Sequence, residues 1–570
     1  MKILILSKKC LLFSCAAIVV VAVAGILVWQ FAFKSHSSVR TGVVVTNGYQ
    51  CASIGTSVLN DGGSAADAAV AVLFCEGISM PQSMGLGGGF LATIYNKQSH
   101  QIESLNARET APGAATKDMY EGTSGSQRGG LAVAVPGELK GYWALHQKYG
   151  ALPWRRLVEP TIELCKNGVY VTEFLANTYL SNKNVLYADP VLRDIFIDPN
   201  TNSTYQAGES VKRLRLAKSL EIIAEEGVDA LYNTNGSLIN TFVQDIRDSD
   251  GIITVDDMLN YEPKWEKPVS INISDDYTFY SVPLPGSGVV LAYILNILDG
   301  FLNREVLNTQ AFQRIVESFK FGYGSRTKLG DIDASQLVSN LLSKSYAEEV
   351  RANISDVSTS QDPSFYGADS ISVDDHGTAH ISILAPNGDA VSVTSTINLV
   401  FGAGFASNST GIILNDEMDD FSKPNSTDPT MPSSEPNFIE PGKRPLSSMV
   451  PTIILKGDDV VMVTGAAGGK KITTVVASII IKHLWYSINI QDAVNHKRLH
   501  HQLFPMTLEV EDGFNNSWPG VINELQSYGH DVKYSASGNG FSAVTSISAI
   551  NEITGAYDPR RGGYISYIYS

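Results

Sequence analysis

The sequence predicts a mixed α and β fold in one body with a β-rich C-terminal third, and three observations carry that expectation. With 570 residues, 44% hydrophobic and 18% charged, the chain can bury a large core, which excludes disorder and fibre. Helix and strand patterns alternate from about residue 43 without an interdomain gap. From about residue 367 the pattern turns to alternating strands.

The first element is an apolar run of 24 residues, Cys10 to Phe33. At ~1.5 Å per residue it exceeds the ~30 Å hydrocarbon core, and it runs on too far past Ala22, Ala24 and Gly25 to read as a cleaved signal. Residues 1–9 then read as a cytoplasmic tail, 10–33 as a transmembrane signal anchor and 34–45 as a polar stalk. Lys2, Lys8 and Lys9 before the span, against Lys34 and Arg40 after it, give only a slight positive-inside bias. Orientation comes from the Asn-x-Ser/Thr sites at Asn202, Asn235, Asn272, Asn353, Asn408, Asn425 and Asn515, all C-terminal to the span. Together they predict a single-pass type II protein of the cell membrane with an extracellular body.

Beyond the stalk, Val43 to Thr46 and Phe90 to Tyr95 read as strands around one helix, Ala52 to Leu73. Leu139 to Tyr149, Thr161 to Lys166, Arg213 to Glu226 and Phe312 to Leu329 carry helical periodicity. Thr378 to Ala385 and Ala390 to Ile397 alternate as the two arms of a hairpin, with the turn centred on Asn387 and Gly388. Strands follow at Gly411 to Leu414, Thr452 to Leu455 and Val460 to Val463, then a helix after Gly469. Cys51 and Cys75 bracket the Ala-rich helical stretch and form the natural disulfide pair in an oxidising compartment, leaving Cys165 as a buried free thiol.

Several function classes drop out. Lys plus Arg is 42 against 58 Asp plus Glu, a net charge of −16 that repels nucleic acid. No CxxC spacing supports a sulfur-bound metal. Gly85 to Gly89 (GLGGG) lacks the third glycine of a dinucleotide loop, and the residues after it read as a strand, so it reads as close backbone packing. His496 and His500 lie four apart, but Lys497 stands where a zinc hydrolase needs Glu, so they read as surface or capping histidines. Pro285 to Gly288 (PGSG) is not a serine-hydrolase elbow.

A threonine hydroxyl is a poor nucleophile unless a base adjoins it, and a free α-amine on the same residue is such a base. With an ordinary pKa of ~7.7 to 8.0 that amine is substantially neutral near physiological pH. Thr378 qualifies only once the Gly377–Thr378 bond is cut.

The motifs around it make the case. Asp375 to His380 (DHGTAH), Thr394 to Asn398 (TSTIN), Asn415 to Phe421 (NDEMDDF), Lys443 to Met449 (KRPLSSM) and Gly465 to Gly469 (GAAGG) resemble successive motifs of the gamma-glutamyltransferase (glutathione hydrolase) family, in its membrane-anchored animal form. Asp61 to Ala69 (DGGSAADAA), Ser83 to Gly89 (SMGLGGG), Asn106 to Glu109 (NARE) and Ala134 to Glu138 (AVPGE) match upstream in the same order. The resemblance covers essentially the whole body.

It implies an α+β fold, a four-layer αββα sandwich of the N-terminal nucleophile hydrolase type. It also implies autocleavage between Gly377 and Thr378 into a large subunit, 46–377, and a small catalytic subunit, 378–570, which stay together as a heterodimer. Thr378 is then the nucleophile, with the Thr396 hydroxyl against its amine. Gly468 and Gly469 aim backbone N–H groups at the oxyanion. Arg108, Ser447 and Ser448 hold the α-carboxylate of a gamma-glutamyl donor, and Asn398, Glu417 and Asp420 its ammonium.

The hairpin register read from the turn sets Thr378 opposite Ile397, one residue from Thr396, so a bulge or another turn is needed to bring both threonines to one face. The animal disulfide matches Cys51–Cys75, whereas no second close pair occurs near 185–200. Phe401 stands where relatives often carry an aromatic hydroxyl, and residues 428–441 correspond to a lid. The implied reaction cleaves glutathione and its S-conjugates and passes the glutamyl group to water, an amino acid or a dipeptide, with no cofactor and no metal. The rivals are a narrower hydrolase of leukotriene C4-type conjugates, another N-terminal nucleophile acylase, and an inactive surface protein that keeps the fold.

Overall fold

Three consecutive valines set the architecture. In strand β1 (Arg40–Thr46) Val43 and Val45 share a core with Leu384, Ile453, Val463 and Ile547, while Val44 joins Ala92, Ile381 and Val391 on the other side. Side chains alternate across a strand, so β1 belongs to a sheet buried on both faces. The computed structural model describes residues 39–370, 377–424, 432–536 and 541–570. Gly42–Ile568 form one compact unit, and 39–41 with 569–570 are the described part of a second, small one.

After β1 come α1 (Cys51–Asn60), α2 (Ala65–Ser79), β2 (Gly89–Asn96), β3 (Gln101–Ala107), α3 (Glu138–Tyr149), α4 (Trp154–Asn167) and α5 (Leu214–Glu226). Then follow β4 (Lys264–Glu266), β5 (Val269–Ile273), β6 (Tyr277–Ser281), α6 (Gly288–Leu298) and α7 (Thr309–Arg326). The C-terminal third holds β7 (Ala379–Leu384), β8 (Ala390–Thr396), β9 (Thr452–Lys456), β10 (Asp459–Ala467), α8 (Lys471–Ile480), β11 (Ala543–Ser548), β12 (Thr554–Tyr557) and β13 (Tyr564–Tyr569). One sheet runs β13-β1-β7-β8-β2-β3-β4 and the other β12-β11-β10-β9-β6-β5. Strands β7 and β8 face β10 across the gap, α2 covers the first sheet from outside, and α6 and α8 cover the second. The result is helix, sheet, sheet, helix, as the resemblance implies.

The structure corrects several local readings. The helix read over Ala52 to Leu73 is two helices, because Gly62 takes φ 89° and Ser64 caps α2 through a reciprocal bond pair with Asp67. The Cys51–Cys75 disulfide therefore joins two helices, and Cys165 is a buried free thiol. The helix read from Thr161 begins at Trp154 and carries Pro160 inside it. Residues 411–414 make only isolated bridges, Ala406 with Ile413 and Gly87 with Leu414. The stalk read to residue 45 ends earlier, since Arg40 already belongs to β1. The anchor read over residues 10–33 and the sequon at Asn425 lie outside the described residues. Among the described residues no helix is long and apolar enough to cross a membrane.

Burial of α2 has a measurable consequence at Glu76. Its carboxyl is wholly buried, and Oε1 accepts from the Gly48 N–H at 2.6 Å. Burial pushes it from 4.5 up to about 8, outweighing that backbone bond, which pulls it down. A carboxyl raised on folding contributes its full stability below the unfolded value and loses it as pH climbs through the folded one. Melting temperature should therefore fall between about pH 5 and 8 from this group. Glu76→Gln keeps the acceptor and cannot ionise, so it should shrink that fall; identical pH slopes in thermal melts of the two proteins would disprove the assignment.

Candidate active site

The site grows from the hairpin of β7 and β8. Leu384 pairs with Ala390 and Ala379 with Ser395, and Ala385 bonds Asp389, so the loop is Pro386-Asn387-Gly388. Gly388 takes φ 88°, the left-handed residue that closes a three-residue hairpin loop. This moves the register by one from the expected two-residue turn. Extended by one pair, it sets Thr378 opposite Thr396 rather than Ile397, with no bulge. Thr396 falls on the face of His380, Ser392 and Thr394, which points at the second sheet; Ile381 and Val391 point at the helices.

Gly377 and Thr378 both adopt positive φ, 76° and 96°. A Cβ on Gly377 would lie 1.7 Å from the Asn398 carbonyl oxygen, so only glycine fits there. For Thr378 this conformation is strained, because a β-branched residue at positive φ costs on the order of 1–3 kcal/mol. The strain sits on the two residues flanking the bond read as scissile. Thr378 is 3% exposed, and Arg561 Nη1 donates to its carbonyl at 3.4 Å. Arg561 also lines a cavity of about 510 Å³ with Asn47 and Tyr49.

Among the described residues, the imidazole that neighbours Thr378 in sequence is that of His380, and it has other partners. His380 is locked between the sheets, with Nδ1 2.7 Å from Thr394 Oγ1, and a Cβ on Gly465 would overlap its ring. Burial drives its pKa down to about 3, so it stays neutral.

Arg108 follows β3 and is 1% exposed. Its guanidinium meets Glu417, Asp420 at 2.5 Å and Glu109 at 3.8 Å, and Nε donates to the Pro445 carbonyl at 3.4 Å. Burial works against its charge, but Glu417, Asp420 and Glu109 outweigh it and hold the pKa above the ordinary value. Burial pushes Glu109 and Glu417 up to about 8 against the pull of Arg108. Near neutral pH Glu109 and Glu417 thus tend to keep their protons beside the one cation. The expected carboxylate fork and the two expected counter-charges form one network.

The remaining expected site residues have partners of their own. Asn398, at φ 68°, donates from N to Thr396 Oγ1 at 2.9 Å and from Nδ2 to the Asp416 carbonyl at 3.2 Å. Asn415 ties Gly87 and Ala134 to this loop, fixing the turn that carries Glu417 and Asp420. Ser447 N–H donates to the Pro285 carbonyl and Ser287 Oγ to the Ser447 carbonyl, while Arg326 Nη2 donates to Ser448 Oγ at 3.2 Å. Gly468 and Gly469 follow β10 at φ 129° and 71°, with Ser542 Oγ donating to the Gly468 carbonyl at 3.0 Å.

Glu109 and Arg326 were not singled out from sequence. Glu109 lies inside the NARE motif beside Arg108, so its signal was present; Arg326 ends α7 with no local cue. The glycine loop is close backbone packing as read: a Cβ on Gly88 would lie 2.0 Å from the Thr396 carbonyl oxygen. His500 is not a surface histidine but fully buried, with Nδ1 at Thr474 and Nε2 at Gln502, and His496 follows the short helix Ile490–Asn495 rather than sharing a face with it. Phe401 is buried against Tyr179 and Phe196. Asn202, Asn235, Asn272, Asn353, Asn408 and Asn515 are all exposed. Of the expected lid, 432–441 are described. No cluster of possible metal ligands occurs among the described residues.

Two sheets packed face to face between helices, with a threonine at the head of a central strand, define an α+β fold of the N-terminal nucleophile hydrolase kind. The cephalosporin acylase of Bacillus halodurans has this fold too, with a TM-score of 0.80 over 93% of this chain and 96% of that one at 24% identity. The chain belongs to the gamma-glutamyltranspeptidase family, whose model matches residues 51–568. It is 40% identical to Scoloptoxin SSD14 of Scolopendra dehaani, over 92% of this chain and 91% of that protein. It is 36% identical to glutathione hydrolase 3 of Arabidopsis thaliana, over 87% of this chain and 79% of that one.

Proposed function

We propose that the chain is a gamma-glutamyltransferase and glutathione hydrolase that matures by cutting its own Gly377–Thr378 bond. The observation that carries this reading is the backbone strained on both sides of that bond, at the head of the strand whose pairing runs toward Thr396. Thr378 Oγ attacks the Gly377 carbonyl, the peptide C–N bond breaks as an ester forms, and water hydrolyses the ester. The freed α-amine is then the base. In turnover it takes the proton of Thr378 Oγ as the oxygen attacks the donor's γ-carbonyl, with the Gly468 and Gly469 N–H groups toward the oxyanion. The departing amine leaves with that proton, and water or an acceptor amine breaks the gamma-glutamyl ester. Arg108, Ser447 and Ser448 hold the donor carboxylate, and Asn398, Glu417 and Asp420 the ammonium.

The two cleavage products stay joined because both sheets interleave them. Strands β7 and β8 lie between β1 and β2 in one sheet, and β9 pairs with β6 in the other. We further propose that residues 10–33 anchor the protein as a type II membrane protein; the exposure of the six described sequon asparagines supports an extracellular, glycosylated body.

Two-substrate kinetics test the chemistry. An acyl-enzyme demands parallel double-reciprocal lines for glutathione and glycylglycine. Transfer should climb from about pH 7 to 8.5 as the acceptor amine loses its proton near ~8, while hydrolysis changes less. Intersecting lines would remove the ester intermediate, and no turnover of glutathione or an S-conjugate would leave the silent surface protein.

A further inference from the structure

Gly468 and Gly469 form the turn from β10 into α8, and every carbonyl of that turn has a donor of its own. Ser542 Oγ donates to the Gly468 carbonyl at 3.0 Å, the Ile472 N–H to the Gly469 carbonyl at 2.9 Å, and the Tyr323 hydroxyl to the Lys470 carbonyl. The bond from Ser542 has a particular consequence, because the Gly468 carbonyl and the Gly469 N–H belong to one peptide plane. That peptide is trans, so its C=O and N–H point in opposite directions. Holding the carbonyl on Ser542 therefore turns the Gly469 N–H to the other side of the plane. There, among the described residues, no acceptor takes it.

Ser542 is itself firmly held. It is wholly buried just before β11, next to the Ala543 that pairs with Ala467 at the end of β10. A Cβ on Gly468 would lie 3.0 Å from Ser542 Cα, so glycine at 468 admits the serine this closely. Arg498 donates from Nη1 to the Ser542 carbonyl and from Nη2 to Asp558 Oδ2 at 2.6 Å, with both charged groups buried. Arg560 holds the other Asp558 oxygen at 3.0 Å. Displacing Ser542 would disturb a buried ion pair, which is costly.

We propose that Ser542 is a positioning residue for acyl transfer: its hydroxyl, anchored through Arg498 and Asp558, aims the Gly469 N–H at the oxyanion. This rests on the reading of Thr378 as nucleophile and of Gly469 as an oxyanion donor. An N–H fixed before the reaction needs no reorganisation as charge develops on the carbonyl oxygen. The planar donor carries less charge on that oxygen than the tetrahedral intermediate does. A misaimed N–H therefore lowers kcat while leaving KM nearly unchanged.

The test is Ser542→Ala in the full chain. Loss of a whole oxyanion donor ordinarily costs on the order of 10²- to 10³-fold in kcat, so a donor left in place but misaimed should cost about 10- to 100-fold, with KM for glutathione nearly unchanged. Inhibition by two donor-head analogues separates aim from folding. The γ-boronic acid analogue of glutamate becomes tetrahedral when Thr378 Oγ bonds to boron: the hydroxyl proton passes to the α-amine, no bond to boron breaks, and a boron-bound oxygen takes the oxyanion position. L-Glutamate keeps a planar γ-carboxylate. Ser542→Ala should weaken inhibition by the boronate by the factor lost in kcat and leave inhibition by L-glutamate unchanged. Ser542→Thr keeps the hydroxyl and should restore both kcat and boronate affinity. Ser542→Cys, a weak donor of similar size, should fall between them and takes the place of alanine if that variant does not fold. Equal losses for boronate and L-glutamate, no loss for either, or a folded variant that stays uncut would overturn the role of Ser542 alone, because turnover by the wild type still supports Thr378. A wild type that neither turns over glutathione nor binds the boronate more tightly than L-glutamate removes the nucleophile reading and this proposal with it.

Discussion

Thr378→Ala is expected to yield one uncut chain with no measurable turnover. In the proposed mechanism the same hydroxyl attacks first the Gly377 carbonyl and then the donor, so its loss would remove maturation and chemistry together. Removing a nucleophile that works with its base as a unit costs on the order of 10⁴-fold or more in kcat. Strain cannot substitute for it: the positive φ of Thr378 stores only on the order of 1–3 kcal/mol, far short of the barrier to amide cleavage. Alanine also relieves part of that strain by removing the β-branch, so the uncut variant should fold and melt no lower than the wild type. A denaturing gel after deglycosylation should show a single band for the variant and two for the wild type, the smaller beginning Thr-Ala-His. A cut Thr378→Ala chain, or an active uncut wild type, would remove Thr378 from the mechanism.

The hairpin shows what a sequence leaves open. Its arms were legible from alternation, because a strand between two packed layers must give apolar side chains to the helix side at Ile381, Ile383, Val391 and Val393. Its register was not, since Asn387-Gly388 serves a two-residue turn and a three-residue loop equally, and only the Leu384–Ala390 pairing decides between them. One residue of register decides whether Ile397 or Thr396 stands opposite the position of Thr378. Likewise the DGGS break after α1 was visible as turn chemistry, but the alanine run around it reads as continuous helix until Ser64 is seen capping α2. Cys51 and Cys75 were legible because they bracket one Ala-rich stretch and match a disulfide of the animal enzymes. The charge network was legible only in parts: Arg108, Glu417 and Asp420 were each named, yet separate roles hid that they touch, because a span of more than 300 residues carries no pairing signal.

That network makes Arg108→Gln the sharper test of the binding site. The proposed role is to meet the donor carboxylate, and a lost charge-assisted bidentate contact is worth ~1.5 to 3 kcal/mol, or roughly 10- to 100-fold in kcat/KM for glutathione. The unliganded site adds a second cost. Without the guanidinium, Glu417 and Asp420 lose their cation in a fully buried setting, and breaking such a pair ordinarily destabilises by about 3–5 kcal/mol. Protonation softens that cost, because burial already holds Glu417 and Glu109 near about 8 and removal of Arg108 raises both further. The variant should therefore lose less stability below about pH 7 than above it, and its activity defect should appear mainly in KM. Arg108→Lys keeps the charge without the fork and should recover stability more than donor affinity. Maturation should persist in both variants, since the Gly377–Thr378 junction packs against the Asn398 carbonyl and accepts from Arg561 rather than Arg108. If Arg108→Gln instead accumulates as uncut chain, the guanidinium shapes the junction rather than the donor pocket, and the assignment of Arg108 to the donor carboxylate fails.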